Sequence, residues 1–206
     1  MVKIVCIGDS IVEGEGDEKG LCGWAGRLQN KILKNSKVGE NRVYNLGMGM
    51  ETSIDLMHRF FSEVLYRDPD VVIMQAAHGD SRLITNNSAK EEFEVGKSAR
   101  LRAYNKLFKY LKQSNKKVLI IGLNPIWSAK TSKKFAIERS KHIESHNRGL
   151  YKLCEEYKIP FLDPREIFND KNLDEYYVDG LHPNSKGYEL MFEAIYNKLN
   201  KLGYLK

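Results

Sequence analysis

The stretch KIVCIGDSIVEG, residues 3 to 14, decides the fold. Lys3 to Gly8 is β-branched and apolar at nearly every position, and it breaks off at Gly8-Asp9-Ser10. A strand with one wet face alternates apolar and polar residues; a continuous apolar run is buried on both faces, as in a parallel sheet covered by helices. Four more runs have this character: RVYNLG (42 to 47), DVVIMQAA (70 to 77), KVLIIGL (117 to 123) and IPFLD (159 to 163). Helical spacing fills the intervals, with Leu101, Tyr104, Phe108 and Leu111 in one and Tyr188, Met191, Ile195 and Leu199 in another. The order β-α-β-α predicts an α/β fold built on a doubly wound, flavodoxin-like five-stranded parallel sheet. Ligands of such sheets bind beyond the carboxyl ends of the strands, so functional residues are expected directly after strands.

The totals fit that expectation. A chain of 206 residues, 42% hydrophobic and 29% charged, suits one soluble domain covering residues 1–206. No linker, repeat or low-complexity tract divides it. Its apolar runs fall well short of the roughly 20 residues that span a bilayer, so no stable membrane insertion is expected. The opening residues read as a first strand and not as a secretory signal, and the expected location is cytoplasmic. Cys6, Cys22 and Cys154 are far apart and without a C-x-x-C pair, which predicts idle thiols and neither a metal nor a redox site. The net charge of +6 is modest. Lys130, Lys133, Lys134, Arg139 and Lys141 are interspersed with Glu138 and Glu144, which reads as a solvated helix face, and no nucleic-acid partner is expected.

Three segments at predicted strand ends carry chemistry. Ser10 stands where the chain leaves the first strand and turns toward a helix. In YVDGLHPNSKGY (177 to 188), Asp179 and His182 are three residues apart, and Pro183 disfavours helical geometry at His182. The turn can therefore aim both side chains at one place, the carboxylate orienting the imidazole as a general base requires. MQAAHGDSR (74 to 82) sets His78, Asp80 and Ser81 nearly side by side, yet adjacent residues cannot easily reach opposite edges of one imidazole. Two loops, Glu13 to Gly20 and Arg82 to Ala89, are expected to lie over the site.

With NLGMGMETS (45 to 53), these segments resemble the GDSL family of esterases and lipases, also called SGNH hydrolases. Gly8-Asp9-Ser10 matches the block that holds the nucleophile, Gly14 and GWAGRL (23 to 28) look like the loop and helix that follow, and Asp179-Gly180-Leu181-His182-Pro183 matches the Asp-x-x-His block. The resemblance covers most of the chain in the expected order. It implies a three-layer α/β/α sandwich and a serine-hydrolase mechanism, in which Ser10 attacks an ester carbonyl, His182 transfers the proton and Asp179 orients the ring. It implies no metal and no organic cofactor. The implied partner is a small acyl ester: an O-acetyl group on a carbohydrate, a short-chain ester, a thioester or a lysophospholipid. Oligomeric state is not indicated.

The family's oxyanion hole has three donors: the serine N–H, a backbone N–H in the second block, and an asparagine side chain in a Gly-x-Asn-Asp block. Here the second-block glycine falls at Met50, whose N–H serves if its φ does not demand glycine, with Gly49 supplying flexibility. The third block falls on Ala77-His78-Gly79-Asp80, so Gly79 stands where asparagine is expected. Either His78 or a water fills that gap, or the enzyme is slow, since losing one donor costs about 100- to 1,000-fold in turnover. In the second case Gly79→Asn should raise turnover. The rival reading is a binding protein on the same fold whose turnover went with the asparagine, against which the intact triad stands. A nucleotide-binding flavodoxin-like protein is disfavoured because GDSIVEG is not G-x-G-x-x-G. Thr52 and Asp55 read as a helix cap, Trp24 as a packing residue, and His142 with His146 as part of a charged helix face, HIESH lacking the Glu of a zincin.

Overall fold

In the computed structural model, residues 2–34, 37, 40–85, 91–126 and 133–205 are described, the side chains of 133–136 and 138 excepted. Lys3–Gly8 forms β1, fully buried from Ile4 to Ile7 and paired in parallel on both sides. Its neighbours are β2 (Arg42–Gly47) and β3 (Val71–Gln75). A short antiparallel ribbon, β4 (Leu83–Thr85) with β5 (Glu91–Phe93), stands apart from the sheet. β6 (Lys117–Ile121) and β7 (Phe161–Leu162) complete a five-stranded parallel sheet of order β2-β1-β3-β6-β7. The strand order reverses between β1 and β3, and a crevice opens at that point beyond the strand ends.

The three layers follow from the period-two alternation of β1. Ile4 and Cys6 pack into a core with α2 (Gly23–Lys34), the short α6 (Pro164–Ile167) and α7 (Ser185–Lys201), in which Trp24, Leu28, Tyr188 and Met191 are fully buried. Val5 and Ile7 face the opposite core, built with α3 (Ser53–Glu63), α4 (Lys97–Gln113) and α5 (Lys133–Tyr157). The helical stripes lie as their spacing predicts: Tyr188, Met191, Ile195 and Leu199 are fully buried, as are Tyr104 and Phe108, while Leu101 is half-buried. Thr52 and Asp55 form a capping box at the start of α3.

The third, fourth and fifth predicted strands are longer than the observed ones, because the chain leaves the sheet at Gln75, Ile121 and Leu162. Of the loop expected from Arg82 to Ala89, Leu83–Thr85 forms β4; residues 86–90 lie outside the described part. Trp24 packs as expected and also anchors a polar chain through the core. Its indole N–H donates to Gln75 Oε1 (2.9 Å), and Gln75 Nε2 donates to Asn124 Oδ1 (2.9 Å). Trp24→Phe leaves the buried Gln75 oxygen without that donor, which costs about 1–3 kcal/mol. The denaturant midpoint should fall at unchanged slope, and an unchanged midpoint would mean that Gln75 repairs the loss.

Candidate active site

Ser10 is the first residue of the four-residue helix α1 (Ser10–Glu13). Asp9 caps that helix, Oδ1 accepting from the Ile11 N–H (3.0 Å), and the cap fixes the direction in which Ser10 leaves the sheet. Ser10 Oγ lies 3.0 Å from His182 Nε2, although the two are 172 residues apart. His182 Nδ1 lies 2.8 Å from Asp179 Oδ2, and Asp179 Oδ1 accepts the N–H groups of Leu181 (2.6 Å) and His182 (2.7 Å). With its proton on Nδ1 toward the carboxylate, the imidazole turns the Nε2 lone pair to the serine hydroxyl. Burial works against ionisation of Asp179, but the His182 ring and the two backbone donors outweigh it and hold the carboxyl below its usual range. The exposed Glu15 carboxylate also reaches His182 Nε2, at 3.3 Å.

A clamp that sequence reading missed joins the segment after α1 to the His182 turn. The buried Arg27 guanidinium pairs with Asp17 and donates to the Ser185 carbonyl (3.1 Å), while Ser185 Oγ donates to Asp17 Oδ1 (2.7 Å). Glu18 accepts the Ser185 N–H (2.9 Å), and Tyr188 OH donates to the Glu15 carbonyl (2.7 Å). These partners are far apart in the chain, so no local pattern announced them.

The turn after β3, His78 to Ser81, forms the opposite wall. His78, Asp80 and Ser81 diverge instead of forming a relay. Asp80 Oδ1 accepts the N–H and hydroxyl of Ser53 (2.8 and 3.0 Å), and Ser81 Oγ donates to the His78 carbonyl (2.8 Å). The His78 N–H donates to Asp9 Oδ2 (2.5 Å), and its ring Nε2 accepts from the Asn124 N–H (3.0 Å). Burial, then the Arg139 charge, holds this imidazole well below its ordinary pKa, so it is neutral with its proton on Nδ1. That Nδ1 is buried and has no partner among the described residues.

Several expectations need correction here. Arg139 is not on a solvated face: it is 7% exposed and donates to Ser81 Oγ (2.8 Å) and the His78 carbonyl (3.5 Å). Lys141 on the same helix is exposed; Lys130 and the side chains of Lys133, Lys134 and Glu138 lie outside the described part. His146 is buried against Asp80 Oδ2 (3.3 Å), and His142 stacks on Phe93 and meets Arg100, so neither belongs to a charged surface. Met50 itself takes the left-handed conformation, at φ 64°, and Gly49 does not. That is the region glycine prefers, and the Met50 side chain stands 70% exposed beside it. At Gly79, a Cβ would lie 2.2 Å from the Glu51 carbonyl oxygen, which leaves no room for the asparagine that was expected to raise turnover.

Between these walls is a pocket of about 300 Å³, lined among others by Ser10, Met50, His78, Gly79, Arg139 and Leu181, with His182 at its edge. Among the described residues no cluster of His, Cys, Asp or Glu could hold a metal ion. A hydroxyl, an imidazole and a carboxylate in hydrogen-bonded line beside a small pocket, at the carboxyl edge of a doubly wound sheet, form an arrangement able to activate a serine hydroxyl for attack on a carbonyl. The sequence profile of the GDSL-like Lipase/Acylhydrolase family matches residues 6–190, and the chain belongs to that family of ester-hydrolysing enzymes. No curated protein matches the sequence. Solved structures share its fold. A lipase/acylhydrolase from Enterococcus faecalis is 24% identical, with 97% of this chain and 95% of that one covered and a TM-score of 0.74. A catalytic mutant of an acetylxylan esterase from Geobacillus stearothermophilus is 18% identical over 98% and 94%, at 0.76. A GDSL-like lipase from Bacteroides thetaiotaomicron is 21% identical over 97% and 88%, at 0.70.

Two measurements probe these walls. Gly79→Ala and Gly79→Asn should each destabilise the fold by about 1–3 kcal/mol through overpacking and lower the turnover of an ester; higher turnover at unchanged stability would contradict the close packing. Burial pushes the Asp9 carboxyl up to about 6, against the His78 and Ile11 N–H groups that favour its charge. A carboxyl raised on folding contributes stability below its unfolded pKa, near 3.8, and loses it as pH rises through about 6. Wild type should therefore gain stability relative to Asp9→Asn as pH falls from about 7 to 4. A difference independent of pH would show that Asp9 titrates normally.

Proposed function

We propose that this protein hydrolyses small acyl esters with Ser10 as nucleophile, His182 as general base and acid, and Asp179 as the group that orients the imidazole. The line from Ser10 Oγ through His182 to Asp179, at 3.0 and 2.8 Å, carries the proposal. Ser10 Oγ attacks the carbonyl carbon while its proton passes to His182 Nε2. The carbonyl oxygen becomes an oxyanion, facing the N–H groups of Ser10 and Met50, neither of which has an acceptor among the described residues. The tetrahedral intermediate collapses to an acyl-serine as His182 protonates the departing alkoxide. Water, deprotonated by His182, then releases the acid and restores the serine.

The pocket is at the small end of ligand sites, which run from about 300 to 1,000 Å³, and this favours a short acyl group. A carbohydrate O-acetyl group or another short-chain ester fits it better than the acyl chain of a lysophospholipid; a short-chain thioester is open to the same chemistry. In this proposal residues 1–206 act as one domain, in the cytoplasm, without metal or organic cofactor, without a nucleic-acid partner and without stable membrane insertion. Among the described residues no helix is long and apolar enough to cross a membrane.

Fluorophosphonate labelling and hydrolysis of p-nitrophenyl acetate should both be present in the wild type and absent in Ser10→Ala. Asp179→Asn should lower turnover by roughly 10⁴-fold, because the imidazole loses the tautomer it needs. A wild type that is neither labelled nor active would be the non-catalytic binding protein instead.

A further inference from the structure

The four residues that stand in place of the family's Gly-x-Asn-Asp block, Ala77 to Asp80, have one main-chain N–H without an acceptor among the described residues. The Ala77 N–H donates to Tyr104 OH (3.3 Å), that of His78 to Asp9 Oδ2 (2.5 Å), that of Asp80 to the Ala77 carbonyl (3.3 Å) and that of Arg82 to the Gly79 carbonyl (3.0 Å). Among these, the Gly79 N–H alone has no acceptor among the described residues. Gly79 lines the pocket that holds Ser10. Its α-carbon is pressed against the second donor block, since a Cβ there would lie 2.2 Å from the Glu51 oxygen and 2.9 Å from the Met50 oxygen.

The geometry points to the Gly79 N–H as the third oxyanion donor, a backbone amide doing the work of the absent asparagine side chain. The donor is held in place from several directions: Asp9 grips the His78 N–H, Asp80 grips Ser53, Arg139 reaches Ser81 and the His78 carbonyl, and the Asn124 N–H holds the His78 ring. His78 is the poorer candidate. Although His78 lines the pocket, its ring is fixed through Nε2 and its Nδ1 is buried, so turning the ring toward a substrate oxygen would break the bond to Asn124. The inference rests on Ser10 being the nucleophile.

A fluorophosphonate adduct on Ser10 places a phosphoryl oxygen where the oxyanion would form, and ¹H–¹⁵N spectra of the labelled protein read the donors directly. The Gly79, Ser10 and Met50 amide protons should move downfield and exchange more slowly with solvent than in the free protein. An adduct that leaves Gly79 unmoved overturns the inference, and a new downfield His78 ring proton would name the imidazole instead. Failure to form any adduct refutes the nucleophile itself, and this inference falls with it. As an independent readout, replacing Gly79 by glycolate turns its amide into an ester of nearly the same shape. Turnover should then fall about 100- to 1,000-fold with KM little changed, while the far-ultraviolet spectrum and melting temperature stay near wild type. Unchanged turnover in the glycolate protein overturns the inference.

Discussion

The buried carboxylate of Asp9 sets the geometry of everything around it. It stands at the reversal of strand order, with one oxygen on the Ile11 N–H behind Ser10 and the other on the His78 N–H at the end of β3. Its burial is unfavourable for the charge, as the carboxyl's rise to about 6 records, but each charge-assisted bond returns about 1.5–3 kcal/mol. The same atoms therefore fix the direction of Ser10 and the position of the facing turn. The middle residue of Gly8-Asp9-Ser10 acts by joining two loops that the sheet brings side by side.

A second constraint closes the distance between the two ends of the chain. Parallel strands set Ser10 and the segment before α7 on the same edge, but sheet topology alone does not place a hydroxyl 3 Å from an imidazole. Arg27, Asp17 and Ser185 supply the remaining alignment. Breaking a buried pair of this kind leaves an uncompensated charge, so separating the two segments is costly. Arg59 does similar service at the second block, where it pairs with Glu51 and donates to the Leu46 carbonyl (2.6 Å) and the Gly8 carbonyl (3.2 Å). The strand ends and the loop that carries Met50 thus share one guanidinium.

Continuous apolar runs located the five sheet strands because burial on both faces leaves a local signature. The hydrogen-bonded line of Ser10, His182 and Asp179 was foreshadowed for a different reason: the two turns that carry these residues are weak signals singly, and only together do they resemble the blocks of one family. Arg139 and His146 were not legible. Both lie on a long helix among Lys and Glu residues, and nothing in the local pattern tells which side of that helix meets the turn after β3. The left-handed conformation of Met50 and the close packing at Gly79 were hidden in the backbone. A sequence shows which residue replaces a glycine or an asparagine, but not the φ it must adopt or the carbonyl it must pass.

Those last two positions are coupled. Without a Cβ at Gly79, its turn can lie against the carbonyls of Met50 and Glu51, and any side chain there would push the two loops apart. The close approach brings two backbone segments of the proposed oxyanion wall to the same spot. Their donors are then fixed as the fold forms, whereas an asparagine amide would have side-chain rotamers to restrict, at a cost of the order of 1 kcal/mol. The arrangement has its own cost at Met50, where a residue with a Cβ is held at φ 64°, a conformation about 1–2 kcal/mol unfavourable. Strain of that size persists where surrounding contacts over-determine it, and here Arg59 on Glu51, the Thr52 cap and Asp80 on Ser53 hold the next three residues. The proposed oxyanion wall departs from the family pattern at two residues, and one packing contact between their backbones makes a single structural feature of both.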